Sequence, residues 1–213
     1  MAVPAVPMDR FFYGFSKALC WAFFKLYNRL SCGNSPELPK GPVIVASNHC
    51  SNLDPVLVGV AFPRRLRYLA KAELFSMPVL GPIIKALGAV PVSRDDSVKR
   101  AAVLKKFIEF LQDGQSVLIF PEGGRSQDGK LQPLEGGVAY LAIKCHVPIV
   151  PAYVKGSHLA MPPGSSRIKP VRISVSFGSL LDPADFLGLL PNEARRCLLE
   201  RLMEELKTLG GET

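Results

Sequence analysis

The run Val43-Ile44-Val45-Ala46-Ser47 is apolar without alternation and rich in β-branched residues. A strand with one wet face alternates in polarity, whereas an unbroken run belongs to a strand covered on both faces, as in the parallel sheets of α/β domains. Further strands are expected at 66–70, 89–92, 116–120, 147–154 and 171–177. Helical patterns fall between them. Asp54-Pro55 gives a capping residue followed by proline at the first helical position, opening a helix to about Phe62. Residues 97–111 carry Val98, Ala101, Leu104, Phe107, Ile108 and Leu111 at helical spacing and stop at Gly114. Residues 134–144 and the charged, amphipathic stretch 192–209 read as helices too, while Pro78, Gly81 and Pro82 break 74–87 into short pieces. Strands alternating with helices predict a single α/β domain, with a central, mostly parallel or mixed sheet flanked by helices. That domain is assigned to 43–213. An N-terminal helix and a Gly/Pro/Ser/Asn-rich linker, 31–42, occupy the first 42 residues.

Two loops at strand ends carry the chemistry, where α/β proteins hold their ligands. The first is Asn48-His49-Cys50-Ser51-Asn52-Leu53-Asp54. A histidine accepts a proton near neutral pH, and does so best when a carboxylate holds its other ring nitrogen. A tight turn would let Asp54 meet His49. The plainer alternative is that Asp54 only caps a helix. Cys50 is adjacent to His49 on an extended segment, so the two side chains point apart and a thiol nucleophile is disfavoured. The second loop is Phe120-Pro121-Glu122-Gly123-Gly124-Arg125-Ser126. Its glycines let backbone amides approach an anion, Arg125 can fork onto phosphate oxygens, and Ser126 can donate a hydrogen bond. Glu122 pairs with Arg125 or positions the turn. Residues 124–130 also spell the outline of a nucleotide-binding P-loop. The required Ser or Thr is replaced by Leu131, and Gln132-Pro133 resists the helix that must follow, so that reading fails.

The chain is basic, with a formal net charge of +8, which suits anionic lipid or phosphorylated substrates. Few aromatic residues lie between the cationic ones, which argues against nucleic acid. Five dispersed cysteines without a Cys-x-x-Cys pair read as reduced thiols. His49, His146 and His158 lack zinc-ligand spacing, so no metal is expected. Between Arg10 and Leu30, an aromatic-rich helix places Arg10, Lys17, Lys25, Asn28 and Arg29 on one stripe, against a broad apolar face. Such a helix suits a membrane interface, with Trp21 among headgroups, or packing against the domain, or both on different faces.

Taken in order, the blocks resemble the glycerolipid acyltransferases, in particular the 1-acylglycerol-3-phosphate O-acyltransferase family. The shared pattern comprises Asn48-His49 to Asp54, then Lys71-Ala72-Glu73 leading through Pro78 and Gly81 to Gly88 and Arg94. It continues with Phe120 to Ser126 and closes on Val147-Pro148-Ile149-Val150-Pro151. Gly124 stands where the family usually has Thr or Ser. The resemblance implies acyl transfer from acyl-CoA or acyl carrier protein to the free hydroxyl of a lysophospholipid acceptor, giving phosphatidic acid. His49 is then the general base and Asp54 its orienter, with no acyl-enzyme and no cofactor. Lys71, Arg94 and Arg125 are candidates for the acceptor phosphate, with Glu122, Gly123 and Ser126 shaping the pocket. Residues 74–87 line an acyl-chain tunnel, dip into lipid, or are ordinary core. The implied location is the cytoplasmic face of an anionic membrane, peripheral or monotopic. Glycerol-3-phosphate or another lysolipid as acceptor, and a non-enzymatic membrane-binding role, remain the alternatives.

Overall fold

Seven strands form one sheet in the computed structural model, which describes residues 10–33, 38–78, 80–92 and 96–211. They are β1 (Ser31–Cys32), β2 (Ile44–Ser47), β3 (Leu66–Lys71), β4 (Ala89–Val92), β5 (Ser116–Ile119), β6 (Ile149–Lys155) and β7 (Ser174–Phe177). Their order across the sheet is β1-β7-β6-β2-β5-β3-β4. Only β6 and β7 pair antiparallel, so the sheet is mixed. The helices are α1 (Arg10–Tyr27), α2 (Asp54–Ala61), α3 (Leu80–Ala86), α4 (Asp96–Gln112), α5 (Gly137–Cys145), α6 (Ser157–Ala160) and α7 (Pro191–Gly210). A 3-10 turn, Ala72–Ser76, precedes α3, so 74–87 does form short pieces on either side of Pro78.

β2 sits at the centre, paired with β5 on one side and β6 on the other, and all four of its residues are buried. Alternate side chains serve two cores. Val43 and Val45 face the cluster built with Phe24, Leu57 and Phe62, while Ile44 and Ala46 face the one built with Phe107, Leu141 and Leu202. α1 and α2 therefore cover one face, and α4, α5 and α7 the other.

Two sequence expectations change here. Ser31 and Cys32, placed in a linker by composition, pair as β1 with the start of β7. The cationic stripe of α1 is divided. Asn28 is fully buried and its amide donates to the carbonyls of Lys169 and Val171. Lys17 is half-buried, donates to the Phe62 carbonyl, and is pushed below the usual lysine range by burial. The helix turns this polar edge inward because Cys20 and Phe24, one and two turns along, join the core. Its outer face is left with Phe12, Phe15, Leu19, Phe23 and Leu26 exposed at spacings of three and four residues, with the Lys25 ammonium 5.9 Å from the centroid of the Trp21 ring.

Candidate active site

β2 ends at Ser47, and the chain then turns sharply into α2. Three buried hydrogen bonds fix that turn. Asn48 behaves as an extra rung of the sheet: its side-chain carbonyl accepts from Val154 N at 2.7 Å and its amide donates to Val154 O at 3.1 Å. The Ser51 hydroxyl donates to Met161 O at 2.7 Å. A polar residue sealed from water costs stability unless it is bonded in this way, so both act as pins.

Asp54 opens α2 but does not cap it. Its side chain turns back, and Oδ2 accepts from Cys50 N and Ser51 N, each at 2.7 Å, and meets His49 Nδ1 at 2.9 Å. The expected helix-capping role is thus replaced by a cap on the turn itself, because the Asp54 N–H has bonded to Ser51 O and closed that turn. Asp54 is fully buried, whereas the His49 side chain is 17 % exposed. A carboxylate only accepts, so in the neutral ring the proton sits on Nδ1 and the lone pair on Nε2. The ring stacks on Phe120, centroids 4.1 Å apart and planes at 21°, which fixes its tilt.

The second loop holds the first by its backbone. Glu122 Oε1 accepts from His49 N at 2.6 Å and Oε2 from Gln132 N at 2.9 Å, while Ser126 N donates to His49 O at 2.7 Å. Glu122 therefore positions the turn, the second of its two expected roles. Burial raises its carboxyl above the usual range, against the lowering pull of those two N–H donors. Ser126 is buried, and its hydroxyl donates to Asp128 at 2.9 Å, so its observed partner is within the loop. Gly123 has φ +70°, and a Cβ there would lie 2.5 Å from Glu135 Oε1, so only glycine fits. No helix follows 124–130 until α5, in keeping with the failed P-loop pattern.

A cavity of about 1000 Å³ opens beside the His49 ring. Its charged lining consists of Lys71, at the end of β3, and Arg125, together with Glu73 and Glu135. Gly123 and Gly124 line it as well. Its apolar lining draws on both cores, with Leu69, Leu104, Phe107 and Leu141 from the one that α4 and α5 cover and Leu118 from the other, joined by Leu74 and Ile84 of the broken segment. Arg94 lies outside the described residues. Glu135 was not singled out from the sequence; the glycines after it were the only local signal. Cys50 is buried, with its thiol pushed up to about 12 by burial and then by the Asp54 charge, which agrees with its rejection as a nucleophile. The backbone amides of Cys50 and Ser51 are both turned onto Asp54.

The fold and the site together define an α/β protein with a carboxylate-oriented histidine facing a long, largely apolar hollow. Residues 29–155 match the family model described as Acyltransferase. The chain is 32 % identical over 195 residues to the chloroplastic 1-acyl-sn-glycerol-3-phosphate acyltransferase BAT2 of Brassica napus, covering 87 % of this chain and 55 % of that protein. It is 30 % identical over 178 residues to the 1-acyl-sn-glycerol-3-phosphate acyltransferase of Bacillus subtilis (strain 168), covering 83 % and 85 %. The crystal structure of the 1-acyl-sn-glycerophosphate acyltransferase PlsC from Thermotoga maritima superposes with a TM-score of 0.70 at 25 % identity, covering 94 % of this chain and 79 % of that one. The chain belongs to the 1-acyl-sn-glycerol-3-phosphate acyltransferase family. It spans about half the length of the plant relatives it matches.

Proposed function

We propose that this protein transfers an acyl group from a thioester, acyl-CoA or acyl carrier protein, to the sn-2 hydroxyl of 1-acylglycerol-3-phosphate, giving phosphatidic acid. The observation that carries this reading is the His49–Asp54 pair beside a hollow lined by both charged and apolar side chains. Nε2 of His49 takes the proton as the hydroxyl oxygen attacks the thioester carbonyl, and Asp54 stabilises the imidazolium that forms. The tetrahedral intermediate collapses with cleavage of the C–S bond, and the imidazolium returns the proton to the thiolate. No acyl-enzyme and no cofactor enters. Lys71, Arg125 and Arg94 receive the acceptor phosphate, and the interior, including Leu74 and Ile84, receives an acyl chain. The names of the matched relatives support the acceptor. Purified protein offered a panel of lysolipids and glycerol-3-phosphate with labelled acyl-CoA should yield phosphatidic acid as the main product by mass. Preferential acylation of another acceptor would reassign the substrate, and no acylation of any would leave the membrane-binding role.

Arg125→Ala should raise the KM for lysophosphatidic acid by about 10- to 100-fold, the loss of one charge-assisted hydrogen bond, with a smaller change in kcat. A loss confined to the KM of the acyl donor contradicts the phosphate role.

The outer stripe of α1 is the membrane-facing surface in this reading, supported by five exposed apolar residues beside Lys25. Among the described residues, no helix is long and apolar enough to cross a membrane. Removing residues 1–30 would also strip Phe24, Asn28 and Leu30 from the core, so the cleaner test changes only the outer face. Phe15→Ser/Leu19→Ser/Leu26→Ser should cut sedimentation with anionic liposomes by about tenfold or more while leaving the melting temperature nearly unchanged. Undiminished sedimentation would make the stripe something other than a lipid contact.

A further inference from the structure

A second cavity, of about 390 Å³, lies at the opposite edge of the sheet from His49. The catalytic loops follow the C-terminal ends of β2 and β5. This cavity opens where β2, β3 and β5 begin, at least a strand length away, roughly 13 Å for four residues. Four of its lining residues are cationic, Lys40, Arg64, Arg65 and Arg67, and among the described residues no carboxylate lines it.

Among the described residues, the three arginines contact neutral groups. Arg64 donates to the carbonyls of Leu38, Pro39 and Gly41, which holds the 38–41 segment as one wall. Arg67 Nε donates to Gln115 Oε1 at 2.6 Å. Arg65 stacks over the Tyr13 ring at 5.2 Å, and its Nε is buried with no hydrogen-bond partner. All three guanidinium groups are half-buried, and the positive form of Arg67 is opposed first by that burial and then by the Arg65 charge. Like charges gathered in a partly desolvated hollow repel one another, and an anion seated between them removes that repulsion. Planar guanidinium forks match the paired oxygens of a phosphate, and the volume suits a small headgroup. No aromatic ring lines the cavity, so base stacking has no platform.

We propose that this cavity is a phosphate-binding site, separate from the catalytic hollow, which takes the phosphate of an anionic lipid headgroup or of a soluble phosphoester. The contact of Arg65 with Tyr13 favours the lipid source, because Tyr13 lies between the exposed Phe12 and Phe15 of α1. A headgroup held there would anchor the outer stripe of that helix at its N-terminal end.

The test uses the full chain and two probes: vesicles of phosphatidylglycerol in phosphatidylcholine, read by sedimentation, and inorganic pyrophosphate, read by calorimetry. Arg65→Gln/Arg67→Gln should weaken binding of at least one probe by about tenfold or more. The control Lys144→Gln/Lys207→Gln, which removes the same charge from exposed sites elsewhere, should change it by less than about twofold. Lys40→Gln, at the exposed rim, should weaken the same probe by about threefold and guards against misfolding of the arginine variant. A loss with vesicles alone identifies the lipid source, and a loss with pyrophosphate alone the soluble one. His49→Ala should leave both probes unaffected, which separates this site from the reaction. Equal losses in the cavity and control variants, or no loss in either, overturn the proposal.

Discussion

His49→Ala is expected to lower kcat/KM for acyl transfer by on the order of 10³-fold or more, with the protein folded and its sedimentation with liposomes unchanged. Both halves of that expectation rest on the same geometry. The imidazole is the group in the described hollow that combines a free lone pair with a partner able to hold the resulting charge. Alanine supplies neither. What keeps the loop in place is the backbone of residue 49, whose N–H donates to Glu122 and whose carbonyl accepts from Ser126 N. Alanine retains both bonds. The ring itself contributes a stacking contact with Phe120, so its removal should cost about 1 kcal/mol of stability. Circular dichroism and a melting curve check the fold, and steady-state assays with varied acceptor check the rate. Turnover within tenfold of the parent would reject His49 as the base, and a collapsed melting transition would show that the ring is structural.

The strands and the paired blocks were legible because both are local signals. An unbroken apolar run such as 43–47 fixes a doubly covered strand regardless of what covers it, and a histidine five residues before an aspartate at that strand's end needs only one turn to meet it. The contacts between blocks were not legible. Glu122 and His49 are 73 residues apart, and whether that carboxylate would take Arg125 or a backbone amide depends on how β5 lies against β2. Ser126 looked suited to phosphate by residue type, yet Asp128 two residues on provides a local acceptor. Helical projection grouped Lys17 and Asn28 with the exposed cations because it treats every polar side chain as solvent-seeking. It cannot foresee that the carbonyls of Phe62, Lys169 and Val171 await them on the domain. The basic cavity shows the same limit: the net charge of +8 is read from composition, but the convergence of Arg64, Arg65 and Arg67 with Lys40 and Gln115 is a property of the sheet edge.

Asp54→Asn separates the charge of the orienting group from its shape. The three N–H contacts of this side chain all converge on Oδ2, and Oδ1 is buried without a hydrogen-bond partner. An asparagine that places its carbonyl oxygen at the Oδ2 position can accept from Cys50 N, Ser51 N and His49 Nδ1 as before, with its amide nitrogen at the unpartnered position. The turn and the ring orientation then survive, at the cost of one buried amide without an acceptor, about 1–3 kcal/mol. What disappears is the negative charge facing the imidazolium as it forms. The expected result is a folded protein whose kcat falls by about 10²- to 10⁴-fold while the KM for either substrate moves by less than about threefold, because Asp54 is buried and does not line the hollow. Asp54→Ala should behave differently. It leaves two buried backbone N–H groups and Nδ1 without an acceptor, so it should lose about 3 kcal/mol or more of stability along with activity. A parent-like kcat in Asp54→Asn would mean that the carboxylate acts only as a brace for the turn, and the proton would then have to be taken without anionic support.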